Sequence, residues 1–156
     1  MQLLPRGFWV SQDSRAPRRK VLFLCTGNSC RSQMAEGWAR ALHGERLQAF
    51  SAGVEPHRLH PLAVRVMAEA GVDIGGQRSK HVDELRDLQP DFVVTVCDHA
   101  AEVCPLFPGA RRQVHHAFVD PARASGTEAE VLAVFRRVRD EIRAFAAGLP
   151  ALLGDG

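Results

Sequence analysis

Long apolar runs are missing from this 156-residue chain: none approaches the roughly 18–20 residues that a membrane-spanning helix needs. Met1 to Val10 lack both a basic n-region and a continuous apolar stretch, so they make a poor secretory signal. These two absences set the expectation of a cytoplasmic protein that does not engage a membrane. Charge imbalance is missing too. A formal net charge of +2 is too small for the field that a nucleic-acid partner demands. The basic clusters, Arg15, Arg18, Arg19 and Lys20 near the start and Arg136, Arg137, Arg139 and Arg143 near the end, read as a solvated linker and a solvated helix face. There is no internal repeat and no low-complexity tract. Cysteines are few, four in all. In a cytoplasmic chain of this size they read as catalytic or metal-binding thiols before structural disulfides.

What is present fits one domain. Hydrophobic residues make up 46% and charged residues 24%, an ordinary globular balance, and the length leaves room for a single core. Residues 1–19 mix Pro5, Gly7, Ser11, Ser14 and Pro17 with arginines and show no periodicity. They are expected to form a flexible extension, with Phe8, Trp9 and Val10 free to dock on a domain spanning 20–150. Lys20–Leu24 (KVLFL) has the length and composition of a buried strand. From Ser32 to Leu42, the positions Met34, Trp38, Ala41 and Leu42 follow helical spacing. Leu47–Ser51 reads as a second strand. Leu62, Ala63, Val66, Met67 and Ala70 then form a helical stripe stopped by Gly71. Asp91–Val96 is a third strand and Gln113–Phe118 a fourth. The last helix opens on a Thr127-x-x-Glu130 capping box and lines up Val131, Val134, Phe135, Val138, Ile142 and Phe145. Strands alternating with helices predict an α/β fold: a four-stranded parallel sheet with helices on both faces. Ligands in such folds bind beyond the carboxyl ends of the strands. Segments 25–32, 97–104 and 118–121 all begin at or just after such ends.

Cys25 and Arg31 bracket five residues between a strand and a helix. A loop of that length can curl its backbone N–H groups inward as an anion nest at a helix N-terminus, so Thr26, Gly27, Asn28, Ser29 and Cys30 are expected to bind an oxyanion together with Arg31. The planar guanidinium of Arg31 matches two oxygens of a tetrahedral anion. Gly27 is expected to permit the tight turn, and Asn28 to take a left-handed conformation. The same positive field favours a Cys25 thiolate, so Cys25 is expected to ionise well below its free value of about 8.5, and Ser32 can donate to that thiolate. The side chain of Cys30 reads as a packed bystander. Asp120, after the fourth strand, is the candidate general acid for the leaving oxygen, although Asp-Pro is also simply a turn signal.

Cys97 ends the third strand on the same sheet edge as Cys25. A thiol there can attack an adduct on Cys25, and Cys104 can then attack Cys97. Were 97–104 one helix, the two Cα atoms would lie about 10 Å apart. A disulfide needs them within about 7 Å, so that bond requires the segment to rearrange. A zinc site is the competing reading. C-x6-C is not a usual zinc spacing and no second close-spaced Cys/His pair accompanies it; His99, His115 and His116 could be recruited, but they read first as surface or satisfied histidines.

Four stretches together, CTGNSCRSQMAEGW at 25–38, SAG at 51–53, VVTVCDHAAEVCP at 93–105 and HHAFVDPA at 115–122, resemble the thioredoxin-coupled arsenate reductases, which share the fold of the low-molecular-weight tyrosine phosphatases. The resemblance covers 20–147. It implies Cys25 as nucleophile, Arg31 as oxyanion binder, Ser32 as thiolate partner and Asp120 as general acid. It further implies a Cys25–Cys97 disulfide that releases arsenite, then a Cys97–Cys104 disulfide that loops out and is reduced by thioredoxin. Arsenate and thioredoxin are thus the implied partners of a monomer with no bound cofactor. Some family members hold potassium beneath the loop through residues matching Asn28, Glu36 and Ser51, with an aspartate where this chain has Lys80. The lysine is expected to pair with Glu36 in the ion's place; the alternative is that it points into solvent and the cation site is merely weakened. Two rivals stand beside this reading: a tyrosine phosphatase, although Ala122 replaces the aromatic residue usual after Asp-Pro, and a non-catalytic thiolate module that binds arsenite or zinc.

Overall fold

The computed structural model describes residues 18–105 and 107–154. The expected extension lies almost wholly outside them, as do Phe8, Trp9 and Val10. The KVLFL run lies in β1 (Arg19–Cys25), in which Val21, Leu22, Phe23 and Leu24 are completely buried. Successive side chains of a strand point to opposite faces, so full burial of all four means that both faces of the sheet are covered here. β2 (Leu47–Gly53) pairs with one side of β1 in parallel, from Arg19 opposite Leu47 to Cys25 opposite Gly53. β3 (Phe92–Thr95) pairs with the other side, and β4 (Arg112–His115) forms the edge, giving a parallel sheet of order β2-β1-β3-β4. β4 ends earlier than expected, although His116 and Phe118 still donate backbone hydrogen bonds to Thr95 and Val96.

The helices are α1 (Arg31–His43), α2 (Pro61–Glu69), the short α3 (Asp98–Val103), α4 (Glu128–Ala147) and the terminal α5 (Leu149–Leu153). A 3₁₀ segment, Val82–Leu88, precedes β3. None of the described helices is long and apolar enough to cross a membrane. Gly71, at φ 87°, follows the α2 cap, where the stop signal was expected. The capping box of α4 forms in both directions, a contribution of about 1 kcal/mol.

α1 departs from its predicted stripe. Ala41 is exposed and Leu42 is 38% exposed, whereas Ser32 through Ala39 are buried without a break. The first turns of α1 lie between the sheet and α4, so even their polar face is enclosed. The buried Ser32, Gln33 and Glu36 need partners there: Ser32 and Gln33 find them in the loop ahead of the helix, and Glu36 in Ser51 of β2 and Arg40.

Candidate active site

β1 delivers Cys25, and the chain then turns through a loop into α1. Every loop carbonyl is taken from outside. Cys25, Thr26, Gly27 and Ser29 accept from the backbone N–H groups of Val54, Glu55, His57 and His60, at 3.2, 2.8, 2.9 and 3.0 Å. Asn28 accepts from Gln33 Nε2 at 3.0 Å, and Cys30 from Met34 N at 2.9 Å. A trans peptide points its N–H opposite its carbonyl, so the amides of this loop face the concave side. That is the nest the spacing called for.

The side chains behind the loop form a directed chain. Glu36 accepts from Ser51 Oγ at 2.6 Å, Ser51 Oγ accepts from Asn28 Nδ2 at 3.0 Å, and the same amide nitrogen donates to Ser32 Oγ at 2.8 Å. Ser32 is left with its hydroxyl hydrogen for Cys25 Sγ, 2.8 Å away. Asn28 Oδ1 accepts from Lys80 N at 3.0 Å, and its backbone N–H donates to Cys25 Sγ at 3.1 Å. Asn28 adopts the expected left-handed backbone, φ 50°, and is fully buried.

The two glycines serve close approach rather than torsional freedom. Gly27 has no positive φ, contrary to its expected role in the turn. A Cβ there would lie 2.5 Å from His57 Cδ2, so its bare backbone makes room for an imidazole. A Cβ on Gly53 would lie 2.6 Å from the Thr26 carbonyl, where β2 backs directly onto the loop.

The ionisation of Cys25 differs from expectation. Burial is the largest influence and pushes its thiol up, while the Ser32 side chain and backbone, the Arg31 charge and the Asn28 N–H pull it down. The donors the sequence implied are all in place, but they act against desolvation rather than alone. Cys30 is also buried, and burial together with the Asp120 and Cys25 charges pushes it up to about 12, which fits an inert thiol.

A cavity of about 230 Å³ opens over the loop, bounded by Cys25, Cys30 and Arg31 below and by His57, Asp120 and Ala122 at the rim. Arg31 is braced by Phe118 O at 3.2 Å and lies 3.5 Å from the Asp120 carboxylate, whose other oxygen accepts from Ala122 N at 3.0 Å. Cys97 caps α3 and sits 3.3 Å from Thr26 Oγ1, so it meets the loop at its edge. Cys104 closes the other end of α3, donates to Pro105 O at 3.4 Å, and is held away from the cavity. Two imidazole–carboxylate contacts tether α3: His115 to Asp98 at 2.9 Å and His99 to Glu55 at 3.1 Å. His115 also bonds Thr95 Oγ1 at 2.8 Å, so both histidines have local hydrogen-bond partners.

Asn28, Glu36 and Ser51 do come together, but the pairing expected for Lys80 does not form. Glu36 takes Arg40, one turn along α1, at 3.1 Å. Lys80 Nζ instead donates to Arg78 O at 2.9 Å. Burial lowers the ionisation of Lys80 and the Glu36 charge opposes that shift, so Glu36 acts on it as a field and not as a contact. An arginine at i+4 meets the carboxylate with no loop to order, which decides the competition. His57, at the cavity rim, escaped sequence reasoning altogether. It lies in the irregular stretch after β2, where no periodicity or spacing marks it.

Residues 20–154 match the family described as low molecular weight phosphotyrosine protein phosphatase. The chain is 52% identical over 125 residues to an arsenate reductase of Halalkalibacterium halodurans, covering 80% of this chain and 90% of that one. It is likewise 52% identical over 122 residues to an arsenate reductase of Bacillus subtilis, covering 78% and 88%. Among solved structures, one described as an arsenate reductase in the phosphate binding state aligns at TM-score 0.76 and 34% identity, over 87% of this chain and 99% of the other. A low molecular weight protein tyrosine phosphatase from T. tengcongensis aligns at TM-score 0.72 and 27% identity, over 86% and 99%.

Proposed function

Since the chain belongs to the low molecular weight phosphotyrosine protein phosphatase family and has arsenate reductases among its near relatives, we propose that it reduces arsenate to arsenite in the cytoplasm, as a monomer, with thioredoxin as the external reductant and no bound cofactor. The observation that carries this reading over phosphate-ester hydrolysis is Cys97, whose sulfur lies 3.3 Å from the loop residue Thr26. A phosphatase has no use for a second thiol at that edge, whereas a reductase needs one.

The chemistry follows from the site. The nest and Arg31 hold the oxyanion, and the Cys25 thiolate, stabilised by Ser32, attacks arsenic. Asp120 protonates the departing oxygen, which leaves as water. Cys97 then attacks Cys25 Sγ. The S–As bond breaks, its electron pair stays on arsenic, and arsenite departs from a Cys25–Cys97 disulfide. Cys104 attacks Cys97 in turn, freeing Cys25. α3 stands between those two cysteines, and a helix of that span must unwind before they can bond. Burial pushes the Cys104 thiol up, a penalty relieved when the segment loops out. The dithiol of thioredoxin reduces the exposed disulfide and closes the cycle.

The test is loss of NADPH absorbance with arsenate, thioredoxin and thioredoxin reductase. Turnover of p-nitrophenyl phosphate without arsenate-dependent NADPH loss would leave a phosphatase as the better reading; slow hydrolysis beside reduction agrees with the present one. Asp120→Asn should slow the first chemical step by about 10²–10⁴-fold while phosphate binding changes little. An unslowed step removes Asp120 as the proton donor.

A further inference from the structure

We propose that His57 is a further substrate-contacting residue, whose imidazole donates a hydrogen bond to the bound oxyanion from the rim of the cavity. The inference rests on the reading of the Cys25–Arg31 loop as the oxyanion site. The placement of His57 is fixed twice over. Its backbone N–H donates to Gly27 O at 2.9 Å, and its ring lies so close over Gly27 that a Cβ there would come within 2.5 Å of Cδ2. The neighbouring bonds from Val54, Glu55 and His60 to the same loop keep this stretch in register. Yet the ring nitrogens themselves make no hydrogen bond to any described residue. His57 is exposed, and a solvent-facing donor held at the edge of an anion cavity without a protein partner can exchange water for the oxyanion as its acceptor.

The charge inventory points the same way. Arg31 is the cavity's guanidinium, and it is already shared with Phe118 O and the Asp120 carboxylate. The hydroxyl-bearing side chains there are engaged as well, Thr26 with Cys97 and Ser29 with Cys30. A doubly charged tetrahedral anion gains from one more side-chain donor beside the loop amides and the remaining N–H groups of Arg31, and the His57 ring, with no described partner of its own, is placed to supply it. Gly27 then has a functional reason. Any side chain there would displace the ring from the rim.

Binding of inorganic phosphate to the Cys25→Ser protein, measured by calorimetry, isolates this contact from the redox chemistry. Adding His57→Ala should weaken phosphate by about tenfold, the worth of one hydrogen bond to a charged group, and His57→Gln should recover most of the loss. In the otherwise unaltered enzyme, His57→Ala should raise KM for arsenate in parallel, while the single-turnover rate at saturating arsenate stays within a factor of about two to three. Arg31→Lys separates the two levels of the argument. If it leaves phosphate binding intact, the loop is not the oxyanion site. If it weakens binding while His57→Ala does not, only the His57 assignment falls. Faster p-nitrophenyl phosphate hydrolysis by His57→Ala with unchanged phosphate affinity would make the ring a steric wall and overturn the proposal.

Discussion

The loop from Cys25 to Ser32 and the segment from Cys97 to Cys104 leave the same edge of the sheet, each carrying a pair of cysteines, and they are held by opposite means. The loop rests on Asn28, Ser32, Gln33 and Ser51, all fully buried and bonded to one another or to backbone. Removing any of them orphans a buried partner, at about 1–3 kcal/mol for each group left unsatisfied. The segment is a helix of six residues, too short to persist by itself, tethered by pairs whose side chains are 40% and 83% exposed (His115–Asp98) and 46% and 65% exposed (His99–Glu55). Exposed pairs of that kind are worth about 0–1 kcal/mol. Stability is concentrated where donors must be in place before the anion arrives, and it is low where the chain must change shape between one thiol and the next.

The sharpest way to separate the two regions is to remove one sulfur from each. Cys25→Ser should abolish arsenate reduction and any phosphatase activity together, because both begin at the same atom. Cys104→Ser should stop multiple turnover but still release about one arsenite per enzyme, trapping a Cys25–Cys97 disulfide that peptide mass mapping identifies. A trapped Cys25–Cys30 bond instead would end the assignment of Cys30 as inert.

Next in size is the scaffold itself. Asn28→Ala removes the side chain that donates to both Ser32 and Ser51, and it places alanine at a left-handed φ of 50°. Urea unfolding should show a loss of about 2–4 kcal/mol. A loss below about 1 kcal/mol would mean that the loop is no better anchored than the helix.

Ser32→Ala probes a single bond within that scaffold. Burial raises the Cys25 thiol and Ser32 is the foremost influence opposing it, so deletion must raise it further. Below the Cys25 pKa the thiolate fraction then falls. Alkylation of Cys25 by iodoacetamide should slow by about tenfold at neutral pH, with its onset moved to higher pH. An onset at lower pH has the wrong sign for this account.

The smallest effect belongs to the tether. Asp98→Asn takes the charge from the His115 contact and should cost less than about 1 kcal/mol globally. Amide exchange should quicken in α3 while the amides of α1 keep their protection. Equal loosening of both elements would erase the contrast between them.

The sequence alone determined the strands that the chain announces as short apolar runs, the parallel alternation of β and α, the C-x5-R loop and the cysteines that follow β3. These signals are local. A buried strand is legible because most of its residues are apolar, and an anion loop because its nucleophile and its arginine lie within one turn of chain. Tertiary structure decided the rest. The stripe written for α1 failed at Ala41 and Leu42 because polar Ser32, Gln33 and Glu36 were needed inward, and periodicity counts apolar residues only. Glu36 took Arg40, an i+4 partner that the sequence does spell out, while the turn of Lys80 to the Arg78 carbonyl is a matter of reach that no spacing encodes. Gly27 serves the His57 ring rather than a turn, and His57 meets the loop only because β2 carries it back alongside. Both are facts about what lies across space, set by packing between segments remote in the chain.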